Sequence, residues 1–145
     1  MFDLGLKNKV ILITGGSDGL GYASAELLSS EGAKVIICGR RGDYLTEKAK
    51  TISEKTNNEV LAIQADVSKA DDCKKLVEKT ISKFKKIDIL LNNAGASAAA
   101  LFEDVTDKNW EDDINLKLMS TVRMCRLVIP YMKSNNKGVI INATI

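Results

Sequence analysis

Val10-Ile-Leu-Ile-Thr14-Gly-Gly-Ser-Asp-Gly-Leu-Gly21 decides the fold of this chain. Four branched apolar residues and a threonine make a short run of the kind that is buried on both faces of a parallel sheet. The run leads directly into glycines at 15, 19 and 21, after which a helical pattern begins with Ala23, Leu27 and Leu28. Glycines so placed permit a sharp turn, let an anion approach bare backbone, and allow the next helix to pack closely on the sheet. The unpaired amides at the head of that helix then face a phosphate group. A strand-to-helix turn whose glycines serve geometry alone is the other reading of the same spacing.

The same alternation continues outward. Val35–Cys38, Val60–Ile63, Ile87–Leu91 and Val139–Ile141 are short runs rich in branched side chains, and they read as further strands buried on both faces. Between them lie amphipathic stretches, such as the one carrying Leu76, Val77, Ile81 and Phe84, that read as crossover helices. Five strands alternating with four helices predict an α/β, doubly wound (Rossmann-type) parallel sheet; the strand order taken for it is 3-2-1-4-5, which would make strands one and four neighbours where the order reverses. Ser68 and Thr106 are placed to cap helix starts. One long helix is expected over residues 106–133, with an apolar stripe of Trp110, Ile114, Leu118, Val122, Cys125 and Ile129 and a last turn bent or frayed by Pro130. No repeat, low-complexity tract or linker divides the chain, so residues 1–145 are expected to form a single domain.

Composition narrows the chemistry. The chain has 145 residues, 45% apolar and 28% charged, as in a globular protein with one core. It contains no histidine, which removes Ser-His-Asp and Cys-His nucleophilic sites, two-histidine zinc sites and the usual haem ligation. Cys38, Cys73 and Cys125 form no Cys-x-x-Cys pair and read as small buried hydrophobes; no metal site is expected. A formal charge of +2 with both signs interspersed offers no field for nucleic acid or a membrane surface. No apolar run is long enough for a membrane span and the start has no secretory pattern, so a cytoplasmic location is expected.

With these residues in place the sequence resembles the short-chain dehydrogenase/reductase family. Gly15-x-x-x-Gly19-x-Gly21 with Thr14 before it is similar to that family's glycine motif, and Asn92-Asn93-Ala94-Gly95 is similar to its Asn-Asn-Ala-Gly. Asp66, with Val67 after it, resembles the family's adenine-contacting aspartate, and Asn115 resembles its helix asparagine. The resemblance spans nearly the whole chain. It implies a dinucleotide cofactor held by Gly15, Ser17, Asp18, Gly19, Leu20, Gly21, Arg40, Arg41, Asp66, Val67, Asn93, Ala94 and Gly95, with Asn115 in the catalytic group. Taken singly, Asp66 also reads as a turn former, Asn92 and Asn93 as loop formers, and Asn115 as a solvated helix residue.

Cofactor choice is read after the second strand, where Cys38-Gly39-Arg40-Arg41 has glycine at the position an NAD-selecting carboxylate would occupy. NADP is expected, with NAD as the weaker alternative, since Arg40 is suited to pair with a 2′-phosphate and stack on adenine. Asp18 in the glycine loop argues mildly the other way.

The family's serine, tyrosine and lysine normally follow the fifth strand. By that spacing the serine falls near Ile145, with Thr144 beside it. Tyr44-Leu-Thr-Glu-Lys48 has the right tyrosine-lysine spacing but sits after strand two, on the adenosine side, and reads as coincidence. The chain is thus expected to be the cofactor-binding half of an NADP(H)-dependent, 3-oxoacyl reductase-like oxidoreductase, truncated before the family's last strands and inactive alone. Its substrate would be a small carbonyl or secondary alcohol, and the 106–133 helix would mediate a homo-oligomer. The alternative is a non-catalytic dinucleotide-binding or sensor module.

Overall fold

A computed structural model describes residues 3–143. The element order is β1 Val10–Thr14, α1 Gly19–Ser30, β2 Lys34–Gly39, α2 Gly42–Thr56, β3 Val60–Gln64, α3 Ala70–Phe84, β4 Ile89–Asn92, a 3-10 turn Phe102–Asp104, α4 Asp107–Ile114, a π-helical turn Asn115–Met119, α5 Ser120–Ser134 and β5 Val139–Asn142. All strand pairs are parallel, and the sheet order is β3-β2-β1-β4-β5, as expected. Leu12 of β1 sits opposite Ile36 of β2 on one side and Leu90 of β4 on the other.

Alternation along the strands splits the apolar residues between the two faces of the sheet. Leu12, Ile36, Cys38, Ile63 and Leu90 pack with Leu76 and Val77 of α3 and Met124 and Val128 of α5. Ile11, Ile13, Val35 and Ile37 pack with Ala25 of α1 and Leu45, Ala49 and Ile52 of α2. Every residue of β1 is buried, which explains why that run contains no alternating polar residue.

Several expectations need correction. Ile87 and Asp88 precede β4 rather than belonging to it. Strand β5 is not buried on both faces: Val139, Ile141 and Asn142 are exposed, because β5 is an edge and little covers it. Helix α1 buries Gly21, Ala25 and Ser29, while Ala23 and Leu27 face out; small residues let this helix lie close to the sheet. Ser68 caps nothing: Lys69 is the N-cap of α3, and the Ser68 hydroxyl bonds to Asp66 instead. Thr106 does cap α4, in a reciprocal capping box with Asn109.

The long 106–133 helix is interrupted by the π-helical turn, and α5 runs on through Pro130 to Ser134. Its buried face is Ser120, Met124, Val128 and Met132. Of the apolar stripe read from the sequence, Trp110, Ile114, Leu118 and Ile129 face outward, with Trp110 48% and Leu118 58% exposed, while Val122 is half-buried and Cys125 packs against the core.

Candidate functional site

A sheet of this order places the ends of β1 and β4 side by side where the chain direction of travel reverses, and a crevice opens beyond them. Here the crevice is a cleft of about 570 Å³, a size suited to a cofactor or small ligand.

Thr14 and Asn93 join its two central loops. The Thr14 hydroxyl accepts from the amides of Asn93 and Ala94, each at 3.0 Å. The Asn93 side-chain amide donates to the carbonyls of Thr14 and Gly15 at 3.2 and 3.1 Å. These bonds lock the glycine loop against the Asn93–Gly95 loop. Gly21 makes the approach possible, since a Cβ there would lie 2.1 Å from the Gly15 carbonyl oxygen and 2.6 Å from the Asn93 amide nitrogen. Gly19 has φ +53° and a Cβ built on it would meet nothing within 4 Å, so the backbone at the head of α1 borders open space. The first amides of that helix have no acceptor within it.

The wall includes Gly15, Ser17, Asp18, Gly19, Arg40, Arg41, Asp66, Val67, Asn93, Ala94 and Gly95. The structure therefore brings together eleven of the thirteen residues expected to hold a cofactor. Leu20 and Gly21 are the two outside the wall: Leu20 is 76% exposed on α1, and Gly21 is buried beneath the loop. Cys38, Gly39, Ala65 and Leu116 line the cleft as well; only their position at strand ends and beside Asn115 hinted at this.

Asp66 lies just beyond β3. Its Oδ1 accepts from the Ser68 hydroxyl at 2.7 Å and the Ser68 amide at 3.1 Å. Burial pushes its carboxyl upward, but these bonds, together with the charges of Lys69 and Arg40, outweigh burial and hold it below the usual range. Asp66 thus both shapes its turn and lines the cleft. Cys38 is covered beneath the glycine loop, and burial pushes its thiol up to about 12, so it stands there as a neutral apolar group.

Arg40 lines the cleft and makes no ion pair among the described residues, whereas Arg41 pairs with Asp18 at 2.6 Å. Asn115 opens the π-helical turn, where its Oδ1 accepts from Arg123 at 2.6 Å; the same Arg123 nitrogen donates to the Ser68 carbonyl. Its neighbour Leu116 lines the cleft in its place. Asn92 is likewise turned away, donating to Asn142 on β5 at 2.9 Å. Tyr44 and Lys48 lie on α2, with Tyr44 bonded to Asp18. Thr144 and Ile145 lie outside the described residues.

Comparison with known proteins gives concordant results. The pattern of the family described as short chain dehydrogenase matches residues 9–144. The chain is 36% identical over 137 residues to the 3-oxoacyl-acyl-carrier-protein reductase of Chlamydia trachomatis, covering 94% of this chain and 55% of that protein. The crystal structure of L-sorbose reductase from Gluconobacter frateurii with NADPH and L-sorbose superposes with a TM-score of 0.94 at 35% identity, over 97% of this chain and 54% of that one. A 7α-hydroxysteroid dehydrogenase complexed with NADH matches with a TM-score of 0.90 at 29% identity, over 96% of this chain and 54% of that one. The chain spans from 40% to 58% of the length of the curated relatives it matches.

Proposed function

Since this chain belongs to the short-chain dehydrogenase family, we propose that its cleft holds a nicotinamide adenine dinucleotide, NADP(H) in preference to NAD(H). In this reading residues 1–145 are one cofactor-binding domain of a cytoplasmic oxidoreductase. The reaction is hydride transfer between nicotinamide and a small carbonyl or secondary alcohol, with a 3-oxoacyl or comparable ketone as substrate. The bound nicotinamide supplies or accepts the hydride.

The observation that carries this reading is the joining of the glycine loop to the Asn93–Gly95 loop around open backbone, with Arg40 in the same wall and in no ion pair among the described residues. The residues fit the group: bare amides at the head of α1 for a diphosphate, Asp66 and Val67 for the adenine end, and Arg40 for a 2′-phosphate with Arg41 beside it. Gly39 ends β2 where an acidic residue would accept from both ribose hydroxyls, and its lack of a carboxylate supports NADP(H). Among the relatives both NADPH and NADH occur, so the preference rests on the residues of this chain.

Calorimetric titration with NADPH and NADH tests it. NADPH is expected to bind more tightly, and Arg40→Ala to cost roughly ten-fold or more in NADPH affinity while leaving NADH nearly unchanged. Equal affinities in the unaltered chain would remove the preference, and no binding of either would remove the reading.

A non-catalytic binding module is the second reading, favoured by the Asn115 amide being held by Arg123 rather than lining the cleft. Turnover of NADPH with a panel of ketones separates the two when it is measured on the full-length gene product that contains residues 1–145, the module binding cofactor without consuming it.

A further inference from the structure

Asp18 is the N-cap of α1, with φ −145° and ψ 168°. From this extended backbone an aspartate ordinarily accepts from the second or third amide of its helix. Asp18 makes no such bond. Both its oxygens are taken from the side of α2: Oδ2 accepts from Arg41 Nη2 at 2.6 Å, and Oδ1 from the Tyr44 hydroxyl at 2.6 Å. The Arg41 guanidinium lies 4.0 Å from the centroid of the Tyr44 ring, which closes a ring of three side chains. Asp18 and Arg41 line the cleft, and Tyr44 reaches Asp18 from α2.

A carboxylate at this position competes with any other anion for the amides at the head of α1. Being tethered one residue from them, it competes at a high effective concentration. Protonation does not remove it near neutral pH, because the Tyr44 hydrogen bond and the Arg41 charge hold its carboxyl below the usual range. The only remaining way to free the amides is to hold the carboxylate elsewhere.

Resting on the dinucleotide reading above, we propose that Arg41 and Tyr44 act as a clamp that withdraws Asp18 from the head of α1 and so keeps its amides open for the diphosphate. Arg41 and Tyr44 are then positioning residues that act through Asp18. The clamp also explains how an acidic residue is tolerated inside a glycine loop that receives an anion.

The test is calorimetry on the 145-residue chain with ADP, NADH and NADPH. ADP carries the diphosphate but neither nicotinamide nor 2′-phosphate, so it reads the head of α1. Tyr44→Phe frees one carboxylate oxygen and is expected to weaken all three ligands by roughly three- to ten-fold, without lowering the thermal midpoint. Asp18→Ala is expected to bind ADP at least as tightly as the unaltered chain, and Tyr44→Phe added to it to have no further effect. Arg41→Gln read with ADP gives a second entry to the same cycle. If Tyr44→Phe weakens ADP equally with and without Asp18, or leaves ADP binding unchanged, the clamp is overturned while the dinucleotide reading stands. If the unaltered chain binds none of the three, the dinucleotide reading itself fails.

Discussion

Gly21 bears more of the site's geometry than its absence from the cleft wall suggests. A methyl group there meets the Gly15 carbonyl oxygen and the Asn93 amide at distances no real Cβ tolerates. Gly21→Ala is therefore expected to cost about 2 kcal/mol or more in urea unfolding, as overpacking against backbone does. Cofactor affinity should fall with it, since the two loops must part. Leu20→Ala, on an exposed neighbour, should leave unfolding within about 0.5 kcal/mol of the original. The distinction between these adjacent residues was partly legible: the sequence marks both as belonging to the motif, but only coordinates separate a residue under the loop from one outside it. The same holds at Asn115 and Leu116. An added residue in the π-helical turn breaks the 3.6 period, so the position that lines the cleft is not recoverable from periodicity.

At the scale of elements, Asp88 ties the start of β4 to β1. Its Oδ2 accepts from the Val10 amide at 2.8 Å and pairs with Lys86 at 2.8 Å. Burial pushes its carboxyl up, but the Lys86 and Val10 bonds outweigh burial and hold it below the usual range. A depressed carboxyl contributes stability that is present above its unfolded value, near pH 4, and is lost as pH falls through its lower folded value. Asp88→Asn should then lower the urea unfolding free energy by about 1 kcal/mol at pH 7, with the difference shrinking as pH falls below 4. A difference independent of pH would show that the charge is not what matters there. Strand existence was readable from short branched runs, and an open edge at the fifth strand followed from the order 3-2-1-4-5, but that order is one of several a doubly wound sheet can take, and alternation along the chain does not choose among them. On the long helix an outward apolar stripe was readable, and Trp110, Ile114, Leu118 and Ile129 are exposed; the second, core-facing row of Met124, Val128 and Met132 on α5 was not.

For the molecule as a whole, Trp110, Ile114, Leu118 and Ile129 stand exposed along α4, the π-helical turn and α5. Large apolar side chains exposed in number on one stretch of helix are a feature of surfaces that meet another protein, which supports the proposal that the chain self-associates through residues 106–133. Leu118→Glu should shift sedimentation velocity from an oligomer toward the monomer, leaving the circular dichroism spectrum unchanged; a monomeric unaltered chain would end that proposal. No helix among the described residues is long and apolar enough to cross a membrane. At this scale the alternation of strands and helices, the glycine loop and the lack of histidine were enough to fix architecture and exclude whole classes of chemistry, because both follow from composition and spacing. What the cleft accepts depends on distances between loops far apart in sequence, which spacing along the chain does not carry.

The covered thiol of Cys38 has a practical consequence. It forms part of the cleft floor, yet it is 1% exposed and its pKa is pushed up to about 12. Only the deprotonated sulfur attacks an alkylating reagent such as iodoacetamide, displacing iodide, so modification at Cys38 must await a transient lifting of the glycine loop. Peptide mapping after timed iodoacetamide treatment should find Cys125 labelled ahead of the buried Cys38 and Cys73. A dinucleotide bridging the two loops should slow the Cys38 reaction further, turning this sulfur into a built-in clock for the opening of the cleft.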